Sequence, residues 1–199
     1  MAGHRARSAP WRASSEATVS DDRRAAAPRF CVTTRACVAG YGAWELTMSV
    51  PQATEAQHQY AEGFNASSAL RFFGVRLSFP SRDRLLATLP VRHEHRGGLG
   101  SQAVNGGILA AMFDLAIGCT GAIVDPTRRS ATMQLSMSFE RPVNGDEVTI
   151  EAWVDRAGGA TLFSSAVIRD GQGEICARCQ GVVKLSKQKW ENGTSPNIG

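Results

Sequence analysis

Cysteine is scarce in this chain. Its 199 residues hold five: Cys31, Cys37, Cys119, Cys176 and Cys179. An odd count at that density excludes a disulfide scaffold and fits a reducing compartment, so a cytoplasmic location is expected. Cys176 and Cys179 have C-x-x-C spacing, but no second cysteine pair exists. Their surroundings read as a strand, in which residues three apart point to opposite faces. Zinc and dithiol chemistry are therefore set aside, and no metal or cofactor is expected. His93 and His95 have no third ligand at a sensible spacing and read as surface histidines. The chain also lacks an apolar run of the roughly 20 residues that a membrane span needs. Nor does it carry a strong charge of one sign. The net charge is +4, of which residues 1–47 supply +3 (seven Arg, four acids) and the remainder +1 (15 basic, 14 acidic). A nearly neutral main body leaves no nucleic-acid footprint. A secretory signal is missing too. The best candidate, Ala36 to Trp44, is broken by Gly40 and Gly42, and Arg23-Arg24 is followed by Ala-Ala-Ala-Pro.

What is present begins after residue 47. Residues 1–47 are rich in Arg, Ala and Ser without apolar periodicity, and read as a disordered leader or a misassigned start ahead of Met48. Residues 48–69 form an N-terminal helical segment, with one helical stretch from Gln52 to Phe73 interrupted by Gly63. The main domain spans 70–186, and 187–199 are a flexible tail. Val75–Phe79 and Leu85–Val91 read as strands joined by a polar turn. From Thr132 to Glu140 the polar residues Thr132, Gln134, Ser136, Ser138 and Glu140 alternate with Met133, Leu135, Met137 and Phe139, as in a half-buried strand. Turn signals at Asn144-Gly145-Asp146, Gly158-Gly159 and Asp170–Gly173 then separate strands over Val148–Asp155, Thr161–Ile168 and Ile175–Leu185.

Between the two groups of strands lies the run Val104 to Gly118. Asn105 is a good N-cap, because its side-chain oxygen can accept an N–H of the first turn. From Ile108 to Ile117 every residue but Asp114 is apolar, the pattern of a helix buried on nearly all sides. A lone acid on such a helix calls for a reason, and a desolvated carboxylate in a cleft is a recurrent catalytic device. Gly107, Ala110, Ala111 and Gly118 share its face and leave room for a close approach. At the other end, the Gly106 and Gly107 N–H groups lie at the positive helix end, where a ligand oxygen can be bound. Eight residues, about 12 Å of rise, separate Gly106 from Asp114. One helix is too long to supply both groups to one carbonyl, so the spacing points to a dimer with sites shared between chains.

Two strands, a buried helix and four antiparallel strands make an α+β chain with a sheet curled around one helix. This order resembles the hotdog fold. The run Val104-Asn105-Gly106-Gly107 through Asp114 resembles the signature of hotdog acyl-CoA thioesterases, in the subfamily related to the phenylacetate-pathway enzyme. There a His-Gly-Gly opens the helix and a catalytic Asp follows nine residues after the His, as Asp114 follows Asn105. The strand closing in Phe139-Glu140-Arg141-Pro142 also fits, and the likeness covers about Leu70 to Ser186. The resemblance implies Asp114 as nucleophile or as base on water, Gly106 as the amide polarising the thioester carbonyl, and Thr132 as a hydroxyl placing the water or the acid. It also implies a homodimer or homotetramer with interfacial sites. Two departures stand out. The family's His is Asn105 here, and its earlier Asn falls at Leu99. Where a basic residue often follows the loop glycine, Gly159 follows Gly158, so Arg128, Arg129 or Arg156 is left to meet CoA phosphates.

The function expected on this basis is hydrolysis of an acyl- or aryl-CoA to free acid and CoA. Asp114, Gly106, Asn105 and Thr132 would be catalytic, with Gly107, Met133, Arg156 and Gly158 on the substrate. Met112, Met133 and Met137 are candidates for lining an acyl group. The alternatives are a non-catalytic acyl-CoA or acyl-carrier binding protein and, ranked below it, a hotdog hydratase. The hydratase is disfavoured because no His follows His95.

Overall fold

The computed structural model describes residues 50–98 and 100–190. The N-terminal region forms two helices, not one. Helix α1, Glu55–Asn65, starts on a reciprocal cap: Gln57 N–H donates to Thr54 Oγ1 at 3.2 Å, and the Thr54 N–H donates to Gln57 Oε1 at 2.9 Å. Gly63 stays inside α1. The break falls instead at Ser67, whose hydroxyl accepts from the Leu70 N–H and opens α2, Ser68–Phe73. The left-handed Gly74 (φ 76°) ends α2. Asn65 anchors α1 by exchanging two hydrogen bonds with the Leu77 backbone, at 2.7 and 2.9 Å.

Six antiparallel strands follow: β1 (Arg76–Ser81), β2 (Arg84–Pro90), β3 (Arg128–Phe139), β4 (Glu147–Gly158), β5 (Thr161–Arg169) and β6 (Ile175–Lys189). They form one sheet in the order β1-β2-β4-β5-β6-β3. The last strand in chain order is longer than its alternation suggested: β6 continues past Ser186 to Lys189. Trp190 then packs on Tyr60 and Phe64 and donates from its ring to the Pro126 carbonyl. Edge position falls to β1 and to β3, which reaches the sheet through β6 alone.

Between β2 and β3 the chain forms α3, Gly106–Cys119, and the short α4, Gly121–Val124. Met112, Phe113, Ala116 and Ile117 of α3 are fully buried against inward residues of the sheet such as Ala87, Ile150, Leu162 and Val183. Each large side chain buried in this way contributes about 1.5–3 kcal/mol. This is a hotdog architecture. The helix, however, is not enclosed on every side. Gly106, Gly107 and Asp114 are exposed, and Ala110, Ala111, Leu115 and Gly118 are half-buried. Six strands of one chain wrap one flank of α3 and leave the other bare. Contrary to the expectation from the sequence, α3 and α4 together (Gly106–Val124) reach the length and apolar composition of a membrane-crossing helix, because α4 extends the apolar run; half of that stretch is buried within the fold.

Candidate active site

The start of α3 is fixed from two sides. The Val104 N–H donates to the Val143 carbonyl and the Asn105 N–H to the His95 carbonyl, both at 2.8 Å. His95 is therefore not a surface residue. It is buried, and its ring lies within 3.1 Å of the Arg92 backbone N–H and guanidinium. Burial and the Arg92 charge hold its pKa below the usual histidine value. Asn105 caps the helix as its residue type dictates: its Oδ1 accepts from the Gly107 N–H at 2.8 Å. The cap consumes one of the two glycine amides expected to receive a ligand. Among the described residues nothing accepts from the Gly106 N–H, and the space over its Cα is open. Gly106 lines a cleft of about 430 Å³ with Val104, Leu109, Phe139, Pro142 and Val143. One N–H, not two, thus faces a partly apolar cleft at the positive end of the helix.

Asp114 lies two turns along the same helix. It is exposed, not buried as an acid on an apolar helix would suggest, because it sits on the bare flank. It borders a second cleft of about 270 Å³, with Phe64, Leu115, Gly118, Cys119, Ser130 and Thr132. Cys119 is no competing nucleophile there. Burial and, to a smaller degree, the Asp114 charge push its thiol up to about 12, although a hydrogen bond from Tyr60 opposes them. Thr132 reaches this cleft through a backbone irregularity. It pairs with Val183 and Gln134 pairs with Val182, leaving Met133 as the extra residue of a β-bulge. Strict alternation places Thr132 with Gln134 on the outer face. The bulge turns it to the helix side, the side that Leu135 occupies against Gly181.

The two clefts lie at opposite ends of the seam between α3 and β3, and no lining residue is common to both. Of the residues singled out from the sequence, the fold brings Asp114 and Thr132 together and sets Asn105 and Gly106 together elsewhere. Gly107 is bound by the cap. Met112 is core, with no exposed surface, while Met133 at the bulge is 68% exposed and Met137 37%. Arg156 and Gly158 are exposed near the β4–β5 turn and line neither cleft. Arg128 donates to the Ser186 carbonyl and Arg129 stacks over Trp190, so both are engaged within the chain. Leu99, residues 1–47 and the tail beyond Trp190 fall outside the described residues. Phe64 is the lining residue that sequence reading passed over. Its signal was the spacing Gln57, Tyr60, Ala61, Phe64, one face of α1. Among the described residues no group of three His, Cys, Asp or Glu could hold a metal ion.

A sequence profile of the thioesterase superfamily matches residues 102–177, which include the α3 residues of both clefts and Thr132 but not Phe64. No curated protein matches the chain by sequence. Solved structures do match. A Haemophilus influenzae thioesterase superposes with a TM-score of 0.60 at 18% identity, covering 69% of this chain and 94% of its own. The E. coli PaaI protein of the phenylacetic acid degradation operon gives 0.57 at 19% identity, over 70% and 99%. A Shewanella oneidensis protein related to the thioesterase superfamily gives 0.59 at 19%, over 66% and 96%. At these identities the likeness establishes the hotdog fold.

Proposed function

We propose that this hotdog chain hydrolyses the thioester bond of an acyl- or aryl-CoA, in sites completed by a second copy of itself. The carrying observation is the separation of the acid from the amide. Asp114 and Thr132 share one cleft and Gly106 faces another, with about 12 Å of helix between them. Both clefts open beside the bare flank of α3 and the edge strand β3. A two-fold axis running between two such flanks sets the helices antiparallel, so the Asp114 cleft of each chain meets the Gly106 cleft of its partner.

In that arrangement the thioester carbonyl oxygen accepts from the Gly106 N–H, where the helix dipole favours the developing negative charge. The partner's Asp114, oriented by the partner's Thr132, either takes a proton from an attacking water or attacks the carbonyl carbon itself, expelling the CoA thiolate and forming a mixed anhydride that water then opens to the free acid. With water as nucleophile, the new C–O bond forms as the C–S bond breaks, and the proton held by the carboxyl passes to the leaving thiolate. The acyl group extends among Leu109, Phe139 and Pro142 beside Gly106. Of the methionines expected from the sequence, Met112 has no exposed surface to offer, while Met133 and Met137 line neither cleft within one chain and would meet an acyl group only across the second copy. A CoA site on Arg156 and Gly158 lies apart from both clefts within one chain, so it too depends on the second copy.

The deciding measurement is thiol release from a panel of acyl- and aryl-CoA thioesters by wild type and Asp114→Asn. The substituted carboxyl is exposed, so the fold is retained while turnover drops at least about a hundredfold. A folded Asp114→Asn protein of near-normal rate removes the acid from the mechanism. A wild type that binds the thioesters without turnover identifies a binding protein instead.

A further inference from the structure

We infer that Gly118 is a positioning residue for the Asp114 site: the gap it leaves in α3 seats the Thr132 hydroxyl beside the acid. The inference rests on the hydrolase reading above, and deepens it. Gly118 lies one helical turn beyond Asp114 on the same face. Its backbone is ordinary helix, not the left-handed region that calls for glycine. Glycine is among the poorest helix formers, so local preference argues against it here. Its neighbour supplies the reason. A Cβ at position 118 would stand 3.0 Å from Thr132 Oγ1, closer than nearly all side-chain contacts.

Three further features hold this contact in place. The Ser130 hydroxyl donates to the Gly118 carbonyl at 2.7 Å, tying the start of β3 to the end of α3. A Cβ at Gly121, the first residue of α4, would lie 2.5 Å from Ser130 Cβ, so the helical surface is cut away under that residue as well. Two glycines three apart across the α3–α4 junction thus receive two residues two apart on the strand. The bulge at Met133 follows at once and restores the inward side to Leu135, Met137 and Phe139. Without the bulge, a strand that faces those apolar residues toward the helix would turn Thr132 to the opposite side. Gly118 and the bulge solve one problem together, which is to bring a hydroxyl from an apolar edge strand down to the surface of the helix beside a carboxylate.

The test is a mutant cycle of Gly118→Ala and Thr132→Ala in the full chain. It is read by melting temperature and by CoA release from benzoyl-, octanoyl- and palmitoyl-CoA. Gly118→Ala alone should leave KM within about twofold and lower kcat about tenfold, because the hydroxyl is displaced and not removed. Added to Thr132→Ala, it should cost no further rate. There it should raise the melting temperature by about 2 °C, the gain in helix propensity being released from the crowding. Wild-type kcat in Gly118→Ala, or strictly additive effects on rate and melting temperature, overturns the assignment. If Gly118→Ala does not fold, refolding on addition of Thr132→Ala upholds it, and failure of the double variant overturns it. If wild type cleaves none of the three thioesters, the hydrolase reading fails. The melting cycle then decides alone, coupled shifts upholding the contact and additive shifts overturning it.

Discussion

At the scale of single residues, Asn105 and His95 hold the first turn of α3. Asn105 spends its side-chain oxygen Oδ1 on the Gly107 N–H. Under the proposed mechanism its side-chain NH2 would donate to the substrate carbonyl beside Gly106. Asn105→Ala should cost about 1 kcal/mol of stability, the value of a lost N-cap. Asn105→Asp keeps the cap and adds a charge that the helix N-terminus favours, so its melting temperature should match wild type. If the amide donates, Asn105→Asp nevertheless loses about a hundredfold in turnover. A fully active Asn105→Asp protein confines Asn105 to capping. His95 makes a separate prediction. Its pKa is depressed in the folded protein, so above the unfolded value near 6.5 both states are neutral and its contribution is intact. As the pH falls below that value the unfolded chain takes up a proton that the folded chain resists, and stability drops. Melting temperature should therefore decrease between pH 7 and pH 5, and less steeply in His95→Gln. Equal slopes in the two proteins would remove His95 as the cause.

At the scale of elements, the proposed assembly rests on β3 and the bare flank of α3. An edge strand with an open row of backbone groups is a template for pairing. Along β3 the apolar residues Met133, Met137 and Phe139 are 68%, 37% and 51% exposed, and the helical flank beside them is mostly small residues. The charges of β3 fall at its start, at Arg128 and Arg129, and from Ser130 to Phe139 the strand carries none of the charges with which monomers blunt an edge. On the proposed reading the wild type is a dimer in light scattering, and Met137→Lys should convert it to a monomer that retains its far-UV circular dichroism and has lost turnover. A Met137→Lys protein that stays dimeric moves the interface elsewhere.

At the scale of the whole molecule, the proposed shared site would make activity a property of the pair. Neither Asp114→Asn nor a variant blocked at Gly106 should turn over substrate alone. Mixed under conditions of subunit exchange, the two should recover part of the wild-type rate, since one site of each hybrid combines an intact acid with an intact amide. Absence of recovery, with exchange demonstrated, places the whole site within one chain.

The sequence by itself determined the local elements and their order. The apolar run from Ile108 to Ile117 could be little but a core helix, Asn105 had to cap it, and the turn glycines separated the strands of the hairpins. These outcomes depend on neighbours a few residues away, which periodicity and capping chemistry report directly. Tertiary structure decided which groups meet. Thr132 reached Asp114 because a bulge reversed the alternation of β3, and a bulge depends on pairing with β6, some fifty residues later. His95 is buried, its carbonyl bonded to the Asn105 N–H at the helix start and its ring against the Arg92 backbone and guanidinium, contacts that its sequence neighbours do not reveal. Asp114 was exposed because one sheet covers only one flank of a helix. A hydrophobic pattern records that an apolar surface must be covered, and leaves open whether its own chain or another does the covering.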